Sequence, residues 1–413
     1  MATPAIVATG VTDPYEFTPE EFRTTTTPVF VAAPRTLAAR PKGPGDVYTT
    51  ERSPQVRLGR ATVEVGVGMT WDELAAESVA VKRATNPEVV LKAYEDYGTL
   101  WNSHPTPAFS FYRDHDFSEV DRTASERWIR EINERLDASR RKQIYIYVHG
   151  FNTKFDKNTR LCAEFLHYMA RDGVMISFDW PSRGSVFSYQ DDKANAEVAI
   201  RQFRNLLEVL ADESNASRIN IIAHSAGTRI VVEALRDTSL RYFDLPATEA
   251  QSRTKLGRVV LAAPDMDFWV AISAGMDGVR RITEGIIVYA SRRDRALGLS
   301  GRIFGEVRLG NIIGRLPPLV VQEMIRNESG WVDVSAAKER YPSFLGHSYY
   351  HQNPMVSSDI MLYLFVGATP EERGLVRDLE TGFLTFPDDY EERLPEIVQH
   401  IVETYRWRPD GSD

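Results

Sequence analysis

The run Ile219-Asn220-Ile221-Ile222-Ala223-His224-Ser225-Ala226-Gly227 reads as a strand that stops abruptly at a serine set between small residues. Beyond it, Ile230, Val231, Val232 and Leu235 carry apolar groups at helical spacing. A strand that turns into a helix this sharply strains the turn residue and lifts its hydroxyl above the sheet. Small neighbours are required because strand and helix nearly touch. That is the physical content of the nucleophile elbow, written G-x-S-x-G. Ala223 stands in place of its first glycine, a departure that still keeps the position small. The plainer reading is a serine that N-caps a buried helix. An acid and a histidine further along the chain separate the two.

Where an elbow of this kind serves acyl transfer, the partners follow in the order serine, acid, histidine. Two strand-like runs come after Ser225. Gly257–Ala263 leads into Pro264-Asp265-Met266-Asp267, and Gly285–Ala290 leads into Ser291-Arg292-Arg293-Asp294. Each sets a carboxylate just past the C-terminal end of a strand, where open α/β sheets keep their functional groups. Asp294 is the preferred acid because it follows the second strand after the elbow. Asp265 is the alternative, and either could instead cap a helix or bind Arg292, Arg293 or Arg295. Of eight histidines, only His347, His351 and His400 lie beyond these acids. A base must accept the serine proton and donate its other ring hydrogen to the acid. His347, directly after Gly346 in a turn-like stretch, suits that role better than His351. His400 falls in an apparent C-terminal helix, residues 391–405.

Six motifs together resemble a bacterial α/β-hydrolase family of unknown function, distantly related to esterases and lipases. They are Tyr145-Ile146-Tyr147-Val148-His149-Gly150-Phe151-Asn152, Phe178-Asp179-Trp180-Pro181-Ser182-Arg183-Gly184, the serine run, Leu261-Ala262-Ala263-Pro264-Asp265, Tyr289-Ala290-Ser291-Arg292-Arg293-Asp294 and Gly346-His347-Ser348-Tyr349. The resemblance spans residues 144–359. It implies the α/β-hydrolase fold, a mostly parallel twisted sheet with helices on both faces, and a Ser225, Asp294, His347 triad. It implies no substrate.

Acyl transfer builds negative charge on a carbonyl oxygen, which two preorganised backbone N–H groups usually hold. Ala226, at the start of the helix, is one candidate donor, favoured by the helix dipole. Phe151 is the other, with Gly150 letting the backbone approach the substrate. Trp180 and Tyr189 are candidate walls of the pocket, with plain loop packing the competing role for Trp180. His149 is expected to orient its loop by hydrogen bonds.

The chain has 413 residues, 43% hydrophobic, enough for a large core in a single α/β sheet with insertions. With 49 Lys+Arg against 58 Asp+Glu, the formal charge is −9, which argues against nucleic acid or an anionic membrane as the main partner. The expected partner is a small-molecule ester; no cofactor and no metal is called for. His347 and His351 lack the intervening glutamate of H-E-x-x-H. The single cysteine, Cys162, excludes an intrachain disulfide and reads as a packed small hydrophobe. No run of eighteen apolar residues suggests a transmembrane helix. Two locations fit: the cytoplasm, or export with a signal segment outside this sequence. Nothing in the sequence sets the oligomeric state.

Residues 1–27, rich in Thr and Pro, read as an irregular arm, and 28–413 as one α/β-hydrolase domain. Within it, Val29–Ala33 and Ala61–Val67 are strand-like, separated by a Pro/Gly/Arg-rich stretch. Residues 70–117 form a candidate cap or lid, opening on a Thr70-Trp71-Asp72-Glu73 capping pattern. Helices are expected over Glu119–Leu136, Asp156–Arg171, Lys193–Ala211 and Ala226–Arg236, and two more over Thr369–Tyr405. Hydrolysis of an ester is the leading expectation, with acyl transfer by the same mechanism or a silent binding scaffold as alternatives. Nothing indicates the amide recognition of a peptidase.

Overall fold

The computed structural model describes residues 1–16, 18–103, 117–183, 189–298, 308–314, 316–326, 330–337 and 346–405. Its strands are β1 Thr26–Leu37, β2 Tyr48–Val65, β3 Val89–Thr99, β4 Gln143–Val148, β5 Val174–Phe178, β6 Arg218–His224, β7 Leu256–Ala262, β8 Gly285–Ala290, β9 Gly330–Asp333, β10 Val376–Arg377 and β11 Leu384–Thr385. They form one sheet in the order β10-β11-β9-β8-β7-β6-β4-β5-β1-β2-β3. From β11 through β1 every neighbouring pair is parallel, and the antiparallel pairs lie at the two edges.

The central strands are apolar throughout because helices cover both faces. Alternation in β4 sends Ile144, Ile146 and Val148 into one core and Tyr145 and Tyr147 into the other. The first core is closed by α2 (Phe117–Ala138), α4 (Tyr189–Glu213) and α5 (Gly227–Arg241), through Trp128, Phe203, Leu206, Ile230 and Val231. The second is closed by α3 (Phe155–Tyr168) and by the helix Pro354–Val366, through Phe165, Leu166, Val356 and Ile360. Cys162 is fully buried there, and burial pushes its thiol pKa up, so it packs as an apolar residue.

Three expectations are corrected. The stretch between the first two strand-like runs is largely strand itself, with β1 and β2 forming one long hairpin. Pro34 is tolerated because it falls at a register shift between Ala33 and Arg35, where no ladder bond is needed. Within the candidate cap, Thr70 and Glu73 do form a capping box on α1 (Trp71–Val79). Val89–Thr99, however, pairs along β2 as the sheet's edge strand, so it caps nothing. The aromatic segment 104–116 lies outside the described residues. The tail forms one helix, Tyr390–Thr404, preceded by the β10–β11 ladder instead of a second helix. An Asp378 carboxylate accepting from the N–H groups of Glu380 and Thr381 turns the chain before Gly382, whose φ is +75°.

Residues 1–16 and 18–24 carry two short 3₁₀ turns, and Met1, Ala5, Ile6 and Val7 lie against the second core. They are fastened by buried His167. Tyr15 Oη and Ser78 Oγ sit 2.9 and 2.8 Å from its Nε2, while Arg171 Nε donates to Nδ1 at 3.3 Å. The proton is therefore on Nε2. Burial, reinforced by Arg171 and Arg83, drives the His167 pKa well below normal. The folded state thus refuses a proton that the unfolded chain binds below about pH 6.5. Stability is full above that pH and falls below it, by roughly 1.4 kcal/mol per unit from this residue alone. Thermal melts from pH 7.5 to 5 are expected to show that fall, and His167→Gln is expected to make it shallower by about that amount, the buried His224 and His351 keeping the remainder.

Candidate active site

The carboxyl ends of β4 to β8 converge on Ser225. The turn from β6 into α5 places Ser225 at φ +52°, a left-handed conformation costly for a residue with a Cβ. It is held by its carbonyl, which accepts from Thr228 N–H (3.1 Å), Thr228 Oγ1 (2.6 Å) and Asp265 N–H (3.2 Å). The close approach occurs at Gly227, not at Ala223. A Cβ on Gly227 would lie 2.4 Å from the His149 carbonyl oxygen and 2.6 Å from that of Val148. Gly150 is equally constrained, its Cβ position 2.8 Å from that of Ser225. Ala223 meanwhile pairs with Val148 and Leu261 and buries its methyl in the first core, which explains the departure from glycine. Gly227→Val is expected to displace the elbow and lose activity together with thermal stability, measured by turnover and melting temperature on one preparation.

Of the three candidate bases, only His347 reaches the serine. Its Nε2 is 2.7 Å from Ser225 Oγ and its Nδ1 is 2.7 Å from Asp294 Oδ2. A carboxylate can only accept, so Nδ1 carries the proton and Nε2 is left to accept from the serine hydroxyl. Asp294 is buried; its Oδ1 accepts from Leu297 N–H at 3.1 Å and its carbonyl from Asn311 Nδ2 at 3.2 Å. Asp265 faces elsewhere, 3.2 Å from Arg308 Nε. His351 lies near the N-terminus, where burial lowers its pKa to about 3, and His400 is on an exposed helix face beside Glu372.

His224, directly before the serine, also touches this group. Its Nε2 donates to the His347 carbonyl at 3.0 Å, while its ring stacks on Tyr350 at 4.5 Å. Burial, and then the nearby His347, lower its pKa well below normal, so it stays neutral with the proton on Nε2. It fixes the backbone from which His347 projects.

Phe151 and Ala226 line one small cavity, about 30 Å³, together with Trp180, Asp265 and Arg308. No side chain caps the first turn of α5, which leaves its N-terminus to a ligand. The Phe151 loop is pinned from behind. Asn152, at φ +56°, donates its N–H to Ser182 Oγ (2.7 Å), which donates to Asp192 Oδ2 (3.0 Å). Trp180 is fully buried, stacks on His149 with centroids 5.3 Å apart, and donates its indole N–H to the His149 carbonyl at 2.7 Å. His149 Nδ1 in turn donates to the Gly150 carbonyl at 2.7 Å. Beneath them, Asp179 meets Arg35 Nε at 2.9 Å. Burial pushes the Asp179 pKa up, but Arg35 and His149 outweigh it and hold the carboxyl below its usual range. Tyr189 opens α4, and its side chain lies outside the described residues. Sequence reasoning missed Arg35, Ser182, Asp192, His224, Arg308 and Asn311. Of these, His224 and Ser182 lie inside motifs already singled out, and the other four carried no local signal.

Residues 122–363, more than half of the chain, match the family described as "Alpha/beta hydrolase of unknown function (DUF900)". The chain belongs to that family. This α/β hydrolase is also similar to two solved structures of esterase B from Lactobacillus rhamnosis. One, described as C6-C4 SN3 inhibited, is 12% identical, with 54% of this chain and 76% of that chain covered and a TM-score of 0.28. The other, inhibited with a C4-C4 SN3 tributyrin phosphonate, is 11% identical, with 64% and 79% covered and a TM-score of 0.26. No curated protein matches the chain. Among the described residues of the hydrolase, no three His, Cys, Asp or Glu side chains gather as metal ligands, and no helix is long and apolar enough to cross a membrane.

Proposed function

We propose that this α/β hydrolase cleaves carboxylic esters through an acyl-enzyme on Ser225. The observation that carries the reading is the continuous line from Asp294 through His347 to Ser225, with both contacts at 2.7 Å. In this reading His347 Nε2 takes the Ser225 proton as Oγ attacks the acyl carbon. Asp294 keeps the imidazole in the required tautomer and stabilises the imidazolium. The carbonyl oxygen, now negative, is held in the small cavity by the N–H groups of Phe151 and Ala226. Each such donor is typically worth about a hundred- to a thousandfold in turnover. His347 then protonates the leaving alcohol, and water attacks the acyl-enzyme with His347 again as base.

Supporting the reading is the use of strain and burial at one spot, since a positive φ at a serine persists only where its surroundings over-determine it. Trp180 supports the His149–Gly150 turn and also forms part of the wall of the small cavity. The test is hydrolysis of p-nitrophenyl esters by the purified protein beside Ser225→Ala. Turnover that disappears in the variant supports the proposal. Turnover that survives at the wild-type rate moves the chemistry to another residue.

A further inference from the structure

A second, larger cavity of about 380 Å³ lies between α5, the helices Phe268–Met276 and Pro318–Arg326, and strands β7 and β8. Its walls include Val232, Leu261, Gly275 and Leu309, and the only charged residues among its described lining are Arg280 and Glu323. Its size falls in the range of about 300–1,000 Å³ usual for ligand sites.

Two elements carry the wall of the small catalytic cavity directly into this one. Arg308 lines the small cavity and the next residue, Leu309, lines the large one. On α5, Ala226 and Arg229 line the small cavity, and Val232, one turn further, lines the large one. At 1.5 Å per residue, Ala226 and Val232 are about 9 Å apart along the helix, within reach of a medium-length chain attached at Ser225. The two helices bordering the large cavity also expose apolar residues, Trp269 at 59% and Leu319 at 68%.

We infer that the large cavity receives the acyl chain of the ester, so that the substrates are esters of medium-chain fatty acids, of the octanoyl to decanoyl class. The inference rests on the ester-cleaving reading above. The polar Asp265–Arg308 wall stands at the carbonyl end, and the apolar walls beyond it take the methylenes. Each methylene transferred from water to such a cavity is worth roughly fourfold in kcat/KM.

Gly275 supplies the test, because a Cβ built there meets nothing within 4 Å. Gly275 is an exposed residue on the cavity's rim, so a leucine there narrows the open side of the cavity. Wild type and Gly275→Leu are compared on p-nitrophenyl esters from acetate to decanoate. Wild-type kcat/KM is expected to rise at least about tenfold with chain length, and the decanoate-to-acetate ratio to fall at least about tenfold in the variant. An unchanged ratio in Gly275→Leu, or a wild type that prefers acetate, overturns the inference. Ala271→Phe fills the same space should Gly275→Leu fail to fold. If no ester of any length is cleaved, the ester reading fails by itself, and titration calorimetry with decanoate decides the cavity. Binding that Gly275→Leu weakens tenfold upholds it, and absence of binding overturns it.

Discussion

Ser225→Ala is expected to reduce kcat on an activated ester by a factor on the order of 10⁶, leaving the melting temperature close to that of wild type. The size follows from removing the atom that forms the acyl bond, for which the remaining donors offer no substitute. Stability is spared because the elbow hangs on the Ser225 carbonyl, which Thr228 and Asp265 hold, and not on its hydroxyl. Alanine also tolerates the backbone required, as Ala170 and Ala263 already adopt positive φ here, at +56° and +48°. Initial rates on p-nitrophenyl butyrate, with a melt on the same sample, check both halves of the expectation.

Asp294→Asn is expected to lower kcat by a factor on the order of 10⁴. An asparagine amide facing Nδ1 would donate to it, moving the imidazole proton to Nε2, where it points at Ser225 and cannot accept. Asp265→Asn separates this role from simple charge near the site. Its carboxylate faces Arg308, and both side chains are nearly buried, at 8% and 5% exposure. Breaking a buried pair strands a charge, typically at about 3–5 kcal/mol, so its main effect is expected in the melting temperature. Parallel kinetics and melts of the two variants test the assignment. A larger loss of kcat in Asp265→Asn than in Asp294→Asn transfers the role of acid to Asp265.

Much of the fold was legible because the parallel strands bury both faces and read as unbroken apolar runs ending in Gly, Ser or Asp. Ser225 and Asp294 were legible for the same reason, since each lies just past such a run, whereas His347 was reached through chain order and its place after Gly346. What stayed hidden depends on contacts far apart in sequence. Asp294 and Asp265 occupy equivalent positions after successive strands, and the approach of His347 to the first and of Arg308 to the second tells them apart. Ser182 and Asp192 look like ordinary loop and helix residues until Asn152 is seen donating to Ser182. The β1–β2 hairpin was obscured by Pro34 and by charged residues that point to solvent along an outer strand. The tail was misread because a ladder of two-residue strands leaves no periodic pattern to detect.

The most direct test of the account is reaction of the purified protein with a fluorophosphonate, followed by peptide mass spectrometry. The reagent reacts with a serine only where a neighbouring base activates it. One stoichiometric adduct is expected, on Ser225, which is lost in His347→Ala and strongly slowed in Asp294→Asn. An unlabelled wild-type protein, or an adduct on any other residue, would contradict it.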